Sequence, residues 1–134
     1  MGPTAMFSKR TTVLGGWVAV MRHRRNDRGM RRAGWRTRCI RAGEIHEFIL
    51  CVPGDDPEQP MDDVSYLGFA EISKGGVVAV GDELWTGDRL VGTVHGFDET
   101  HFPNHYNILI ATDHLVTGEE LGLGLDEEVA VRPR

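Results

Sequence analysis

Apolar positions in this chain fall into short runs with a period of two, broken every eight to twelve residues by Gly, Pro, Asn or Asp. The first run, "TTVLGGWVAVMRH", sets β-branched and aromatic residues around an internal Gly-Gly, which predicts a bent or bulged strand. In "GEIHEFILCV" the alternation puts Glu44, His46, Phe48 and Leu50 on one face and Ile45, Glu47, Ile49 and Cys51 on the other. "PGDDPEQPMDD" holds three prolines, a glycine and five acids, and reads as a loop. The runs "VSYLGFAEI", "GGVVAVGDELW" (broken at Gly81-Asp82), "GDRLVGTVHGF", "YNILIAT" and "EEVAVRP" predict further strands, with a turn at Trp85-Thr86-Gly87-Asp88. In "TGEELGL", Thr117 is followed three residues on by Glu120 and then by Gly122, which predicts a one-turn helix with a capping box and a glycine stop.

No amphipathic pattern lasts beyond about two helical turns. The expectation is a mostly β fold: a small antiparallel β-barrel of about seven strands with minor helix. The stretch "RRNDRGMRRAGWRTR" predicts an irregular basic N-terminal region. At 134 residues the chain suits one core, with a loose leader over residues 1–10 and a single domain over 11–134.

Charge changes this picture in one respect. The net charge is −5, yet residues 1–41 carry eleven of the fifteen Lys and Arg with a single acid, Asp27. Pairing of this basic segment with the acidic remainder, or with another subunit, is the first reading. The acidic body disfavours nucleic acid as a partner, because a phosphate-binding face would lie beside a repelling one. Two cysteines, Cys39 and Cys51, form neither a CxxC pair nor a disulfide framework, so Cys51 is expected as a core thiol in a cytoplasmic protein. No apolar run is long enough to span a bilayer, so no membrane partner is expected.

The densest chemistry is "HGFDETHFPNHYNI", residues 95–108, with three of the six histidines. His95 shares a face with Val91, Thr93 and Phe97 by alternation and reads as a half-buried core residue. His101 and His105 flank Pro103, which forbids a regular helix and makes a rigid turn able to aim two imidazoles together. With His46 they are the candidate ligands of a divalent metal, Zn or Fe, and Glu99 and Asp98 the candidate proton-transfer carboxylates. Without a metal, Asn104 and Asn107 would bind a small molecule and His101 and Glu99 would act as acid and base. A well-satisfied turn with histidines facing water is the third reading. Arg38, Arg41 and Glu44 are candidate substrate contacts from "RTRCIRAGEIHEF", although Arg41, Glu44 and Glu47 also read as solvated charges at the start of a strand. No HExxH, dinucleotide fingerprint or GxSxG motif is present.

The pattern from "RGM" near residue 28 through "CIRAGEIHE" to "GFDETHFPNHYNI" resembles a family of small uncharacterised bacterial proteins. That resemblance covers most of the chain and implies no function. The C-terminal half also resembles the glucitol/sorbitol-specific phosphotransferase IIA component, at Gly81-Asp82, Val91 to Val94, Phe97-Asp98 and Phe102-Pro103. This second resemblance implies a small closed β-barrel that carries phosphate on a histidine. The phosphohistidine would fall near the end of "FILCVPGDD", where this chain has Cys51, Val52 and Pro53, so the fold carries over and the phosphotransfer role does not. The expected function is small-molecule binding at a His-rich, divalent-metal site, either in an enzyme (lyase, isomerase or hydrolase) of bacterial specialised or sugar-related metabolism or in a non-enzymatic accessory module. A homo-oligomer, most simply a homodimer, is expected.

Overall fold

In the computed structural model, residues 10–56 and 58–134 are described. Along the chain come β1 (Val13–Val20), β2 (Arg24–Arg25), β3 (Thr37–Ile40), β4 (Ile45–Cys51), β5 (Val64–Lys74), β6 (Gly76–Ala79), β7 (Glu83–Thr86), β8 (Arg89–Asp98), β9 (Asn107–Ala111), α1 (Gly118–Leu121) and β10 (Glu128–Arg132). The fold is mostly β, as the alternation predicts. Seven strands pair in the order β1-β10-β7-β8-β9-β4-β5, and β5 returns to β1, so the pairing closes into a ring. β2 lies on β5, and β3 and β6 make a separate two-stranded sheet.

One pairing departs from the antiparallel expectation. β4 and β9 run parallel, with Glu47 opposite Asn107 and Cys51 opposite Ala111. A long stretch of chain separates these strands, so no tight hairpin dictates their relative direction.

Every strand of the ring contributes to the main apolar cluster: Val13 and Trp17, Phe48 and Leu50, Leu67 and Ile72, Leu84, Val94 and Phe97, Ile108 and Ile110, Val129 and Val131. On β4 the predicted two faces separate as read, Phe48 and Leu50 joining this cluster while Ile49 and Cys51 join a second one with Met30, Met61, Val64, Tyr66 and Leu109. Burial pushes the Cys51 thiol up to about 12, which leaves it inert as a nucleophile. On β8 the alternation fails. A bulge between Val94 and Gly96 lets both Val94 and Phe97 reach the core, so His95 does not share the face of Phe97.

Ring closure depends on close backbone approach between β1 and β5. A Cβ at Gly68 would lie 2.1 Å from the Ala19 carbonyl oxygen, and one at Gly15 would lie 2.4 Å from that of Glu71. The register of β1 on β5 shifts at Leu14/Gly15, where the internal Gly-Gly predicts a bulge, and again at Trp17/Ala19. Helix α1 also follows the sequence: the Thr117 hydroxyl accepts from the Glu120 amide, the Glu120 carboxylate accepts from the Thr117 amide, and Gly122 takes φ 73°.

The basic segment pairs with the acidic body through Arg10–Asp82, Arg24–Glu120, Arg28–Asp98 and Arg38–Glu99. Arg10, the last residue of the expected leader, makes a two-pronged contact with the buried Asp82 at 2.6 and 3.0 Å, and residues 1–9 lie outside the described residues. Among the described residues no helix is long and apolar enough to cross a membrane.

Substitution Gly68→Ala should cost about 2 kcal/mol or more in urea unfolding, because its Cβ meets backbone that cannot step aside. Gly34→Ala, with nothing within 4 Å of the new carbon, should be close to neutral. Equal effects at the two positions would remove the close-approach explanation.

Candidate functional site

Three strands bring a polar row together. Glu47 on β4 lies opposite Asn107 on β9, and Asn107 lies opposite Asp98 on β8. All three side chains are buried, at 5%, 1% and 5% exposure, which for two carboxylates demands compensation. Asp98 has it: its oxygens accept from Asn107 Nδ2 at 2.8 Å, from the Thr100 hydroxyl at 2.8 Å and from Arg28 Nη2 at 3.5 Å. Glu47 has no such donor among the described residues. Burial pushes its carboxyl up to about 7, with the Arg28 charge opposing and the Asp98 charge adding to the rise.

The loop from residue 99 to 106 turns tightly, with Phe102 and Asn104 amides donating to the Glu99 and His101 carbonyls and a cis peptide bond at Phe102-Pro103. This lays His105 over the row. Its Nε2 sits 3.6 Å from Glu47 Oε1 and its ring meets Phe69 edge-on. Its Nδ1 is 2.6 Å from Asn104 Oδ1. Burial holds the His105 imidazole below its ordinary range, the charges of His101 and His46 add to this, and Asn107 opposes it. His105 Nε2 and Asn107 Oδ1 are both buried without a hydrogen-bond partner among the described residues. A proton on Nε2 therefore has acceptors waiting, while a proton on Nδ1 has Asn104. Glu47 and His105 thus face one another as a carboxyl raised and an imidazole lowered from their ordinary values.

The other expected site residues take different places. His46 accepts from the Tyr106 amide at Nδ1 (3.0 Å), which leaves its hydrogen on Nε2, 3.1 Å from Glu44 Oε1. Both its nitrogens are engaged, so it serves to hold Tyr106, on which it stacks. Glu44 accepts from the Arg41 amide, which lowers its pKa, with the bond from His46 helping and burial opposing. The Arg41 guanidinium makes no ion pair among the described residues. Arg38 pairs with Glu99 and lies over the Tyr106 ring at 4.8 Å. His101 is exposed, its ring centroid 5.3 Å from that of His105. The three proposed ligands His46, His101 and His105 do not converge, and among the described residues no three His, Cys, Asp or Glu side chains are placed to hold a metal ion.

A cleft of about 180 Å3 opens beside the turn, lined by Glu44, His46, Phe102, Asn104, His105 and Tyr106 among others. Its chemistry is the imidazole of His105, with Glu47 behind it. Glu47, Arg28 and Thr100 escaped the reading of the sequence. The one signal for Glu47 is a charge inside the apolar run "IHEFILC", which by itself reads as a solvated residue at the start of a strand.

Because the folded Glu47 carboxyl titrates above its ordinary 4.5, its protonated form supports folding fully below that value, and the contribution is lost as pH rises to about 7. Relative to Glu47→Gln, the native chain should therefore lose stability between about pH 4.5 and 7, by at most about 3 kcal/mol, and run parallel above that. Urea unfolding of both chains across this range checks it; curves parallel throughout would mean that Glu47 titrates normally.

Neither the curated proteins nor the solved structures compared with this chain give a match. A family model does match, over residues 7–132, nearly the whole length described above. The chain belongs to the family of unknown function DUF6917.

Proposed function

We propose that this protein binds a small polar molecule in the cleft beside the Phe102-Pro103 turn, at one end of a small β-barrel, and that Glu47 and His105 move a proton on it. The observation that carries this reading is the Glu47–His105 pair. It joins a buried carboxyl raised to about 7 to a depressed imidazole, with two orphaned polar atoms alongside. The exposed Asn104 holds Nδ1 of His105 and is the group a ligand would displace. A hydroxyl or carbonyl oxygen at that position would exchange a proton with Nδ1, while Nε2 exchanges one with Glu47. Arg38 and Tyr106 would orient the ligand, and Phe102 would keep water away.

Ligands can be sought by NMR with a library of small polar metabolites at pH 7. Hits should shift the amides of residues 102–107, and His105→Ala should weaken them at least tenfold. Glu47→Gln should leave binding largely intact but abolish turnover of any hit that is converted. Turnover that survives Glu47→Gln would reduce the site to a binding module; hits that map elsewhere would remove the reading altogether.

The closeness of His101 and His105 favours a second reading, a divalent Zn or Fe ion held by two imidazoles with open positions. Elemental analysis of protein purified without tag or chelator, repeated on the His101→Ala/His105→Ala variant, decides it. Near-stoichiometric metal lost in the variant supports this reading. No metal in either, after reconstitution with Zn2+, Fe2+ and Mn2+, ends it.

A further inference from the structure

The basic segment is only partly neutralised by the body. Arg22, Arg31, Arg32, Arg36 and Arg41 form no ion pair among the described residues, and residues 1–9 and Pro57 contain no acid that could supply one. Three of these five, Arg31, Arg32 and Arg36, line one cavity of about 310 Å3 with Trp35, His95 and Glu58. A volume of that order suits a small molecule. The cavity shares no lining residue with the cleft at the Phe102-Pro103 turn.

Its walls are held in place. The Ala33 amide donates to the Phe97 carbonyl at 2.7 Å and the Val80 amide donates to that of Arg36 at 2.9 Å, which ties the 33–36 segment to β8 and to the end of β6. The stem of Arg32 crosses Gly96, where a Cβ would fall 2.7 Å from Arg32 Cδ, and its Nη1 donates to the His95 carbonyl at 3.4 Å. So the β8 bulge that turns His95 away from the core also makes the bed for Arg32. Trp35 is 63% exposed, with the Arg38 guanidinium 5.6 Å from its ring centre. In a chain of net charge −5, Arg31, Arg32 and Arg36 line one cavity with no carboxylate at ion-pair distance among the described residues and Glu58 as the one acid in its lining, so the excess positive charge there favours an anion. Guanidinium forks match phosphate oxygens two by two, and the exposed indole offers a flat apolar surface for the rest of a ligand.

We infer that the Arg31/Arg32/Arg36 cleft binds the phosphate group of a small phosphorylated molecule, with Trp35 covering its non-ionic part. Calorimetric titration at low salt with pyrophosphate, glucose 6-phosphate and AMP tests this on the full chain. Saturable one-to-one binding is expected for at least one probe. Arg31→Ala and Arg36→Ala, both exposed and free of side-chain partners among the described residues, should each weaken it at least tenfold. Arg22→Ala and Arg41→Ala, which remove equally unpaired charges outside the cleft, should change it less than twofold. Preferential binding of AMP over pyrophosphate that disappears in Trp35→Ala would make the ligand a nucleotide; equal binding that is indifferent to Trp35 would keep the phosphate site and remove the role of the indole. The inference is overturned if no probe binds, if all four arginine variants lose affinity alike, or if a single-stranded oligonucleotide binds more tightly than every small probe.

Discussion

Closure of the sheet through β1 is the constraint on which the rest of this structure depends. β1 pairs with β10 over Val13–Gly16 and with β5 over Leu14–Val20, so a single strand joins the chain's last strand to the middle of its sequence. That junction puts Trp17 fully inside, where its indole N–H donates to the Thr86 hydroxyl at 3.0 Å, and it requires bare glycine at residues 15 and 68. A ring of seven strands leaves no open sheet edge among them, and its interior is filled by apolar side chains from all seven. Polar chemistry is thereby displaced to the outer face and the ring's end, where loops cover it.

The parallel register of β4 on β9 decides which polar groups meet there. It sets Glu47 against Asn107, and the β8–β9 pairing then adds Asp98. The two carboxylates share a buried row but not the same fate. Asp98 collects donors from Asn107, Thr100 and Arg28, whereas Glu47 faces mainly an imidazole. In a medium of low polarity the difference between having donors and lacking them is worth several kcal/mol, enough to move a carboxyl to neutrality. The geometry thus separates a carboxylate well supplied with donors from one whose carboxyl is raised by burial, although both look alike in the sequence.

The same logic sorts the arginines. Four partner with acids of the body, and the Arg10–Asp82 contact shows how firmly one of them is held, with both carboxylate oxygens engaged and the guanidinium pKa raised by that bond. Of those left over, Arg31, Arg32 and Arg36 line one cavity around Trp35 beside β8, while Arg22 and Arg41 lie outside it. An excess of one charge in the first third of the chain therefore resolves into two roles, neutralised ties that fasten the segment and free cations that line a cleft.

How far the sequence reached follows from the range of the interactions involved. The capping box at Thr117 and Glu120, the Gly87-Asp88 turn, the bulge of "LGGW" and the two faces of β4 are set by residues a few positions apart, so the chain alone determined them. The tight turn at Phe102-Pro103 was legible too, because a proline between closely spaced histidines and acids restricts what the loop can do. Other features needed the fold. His46 looked like a ligand until the Tyr106 amide, sixty positions away, was seen to occupy one of its nitrogens. His95 is half-buried as its neighbours suggest, but a bulge, invisible to strict alternation, takes it off the face of Phe97. Glu47 could be read as solvated or buried from its neighbours in sequence, and only the packing of β9, Phe69, Arg28 and His105 around it excluded water. Local backbone preference and periodicity are carried within a strand or a turn. The protonation of a carboxyl depends on what every other strand brings against it, and that only the tertiary structure decided.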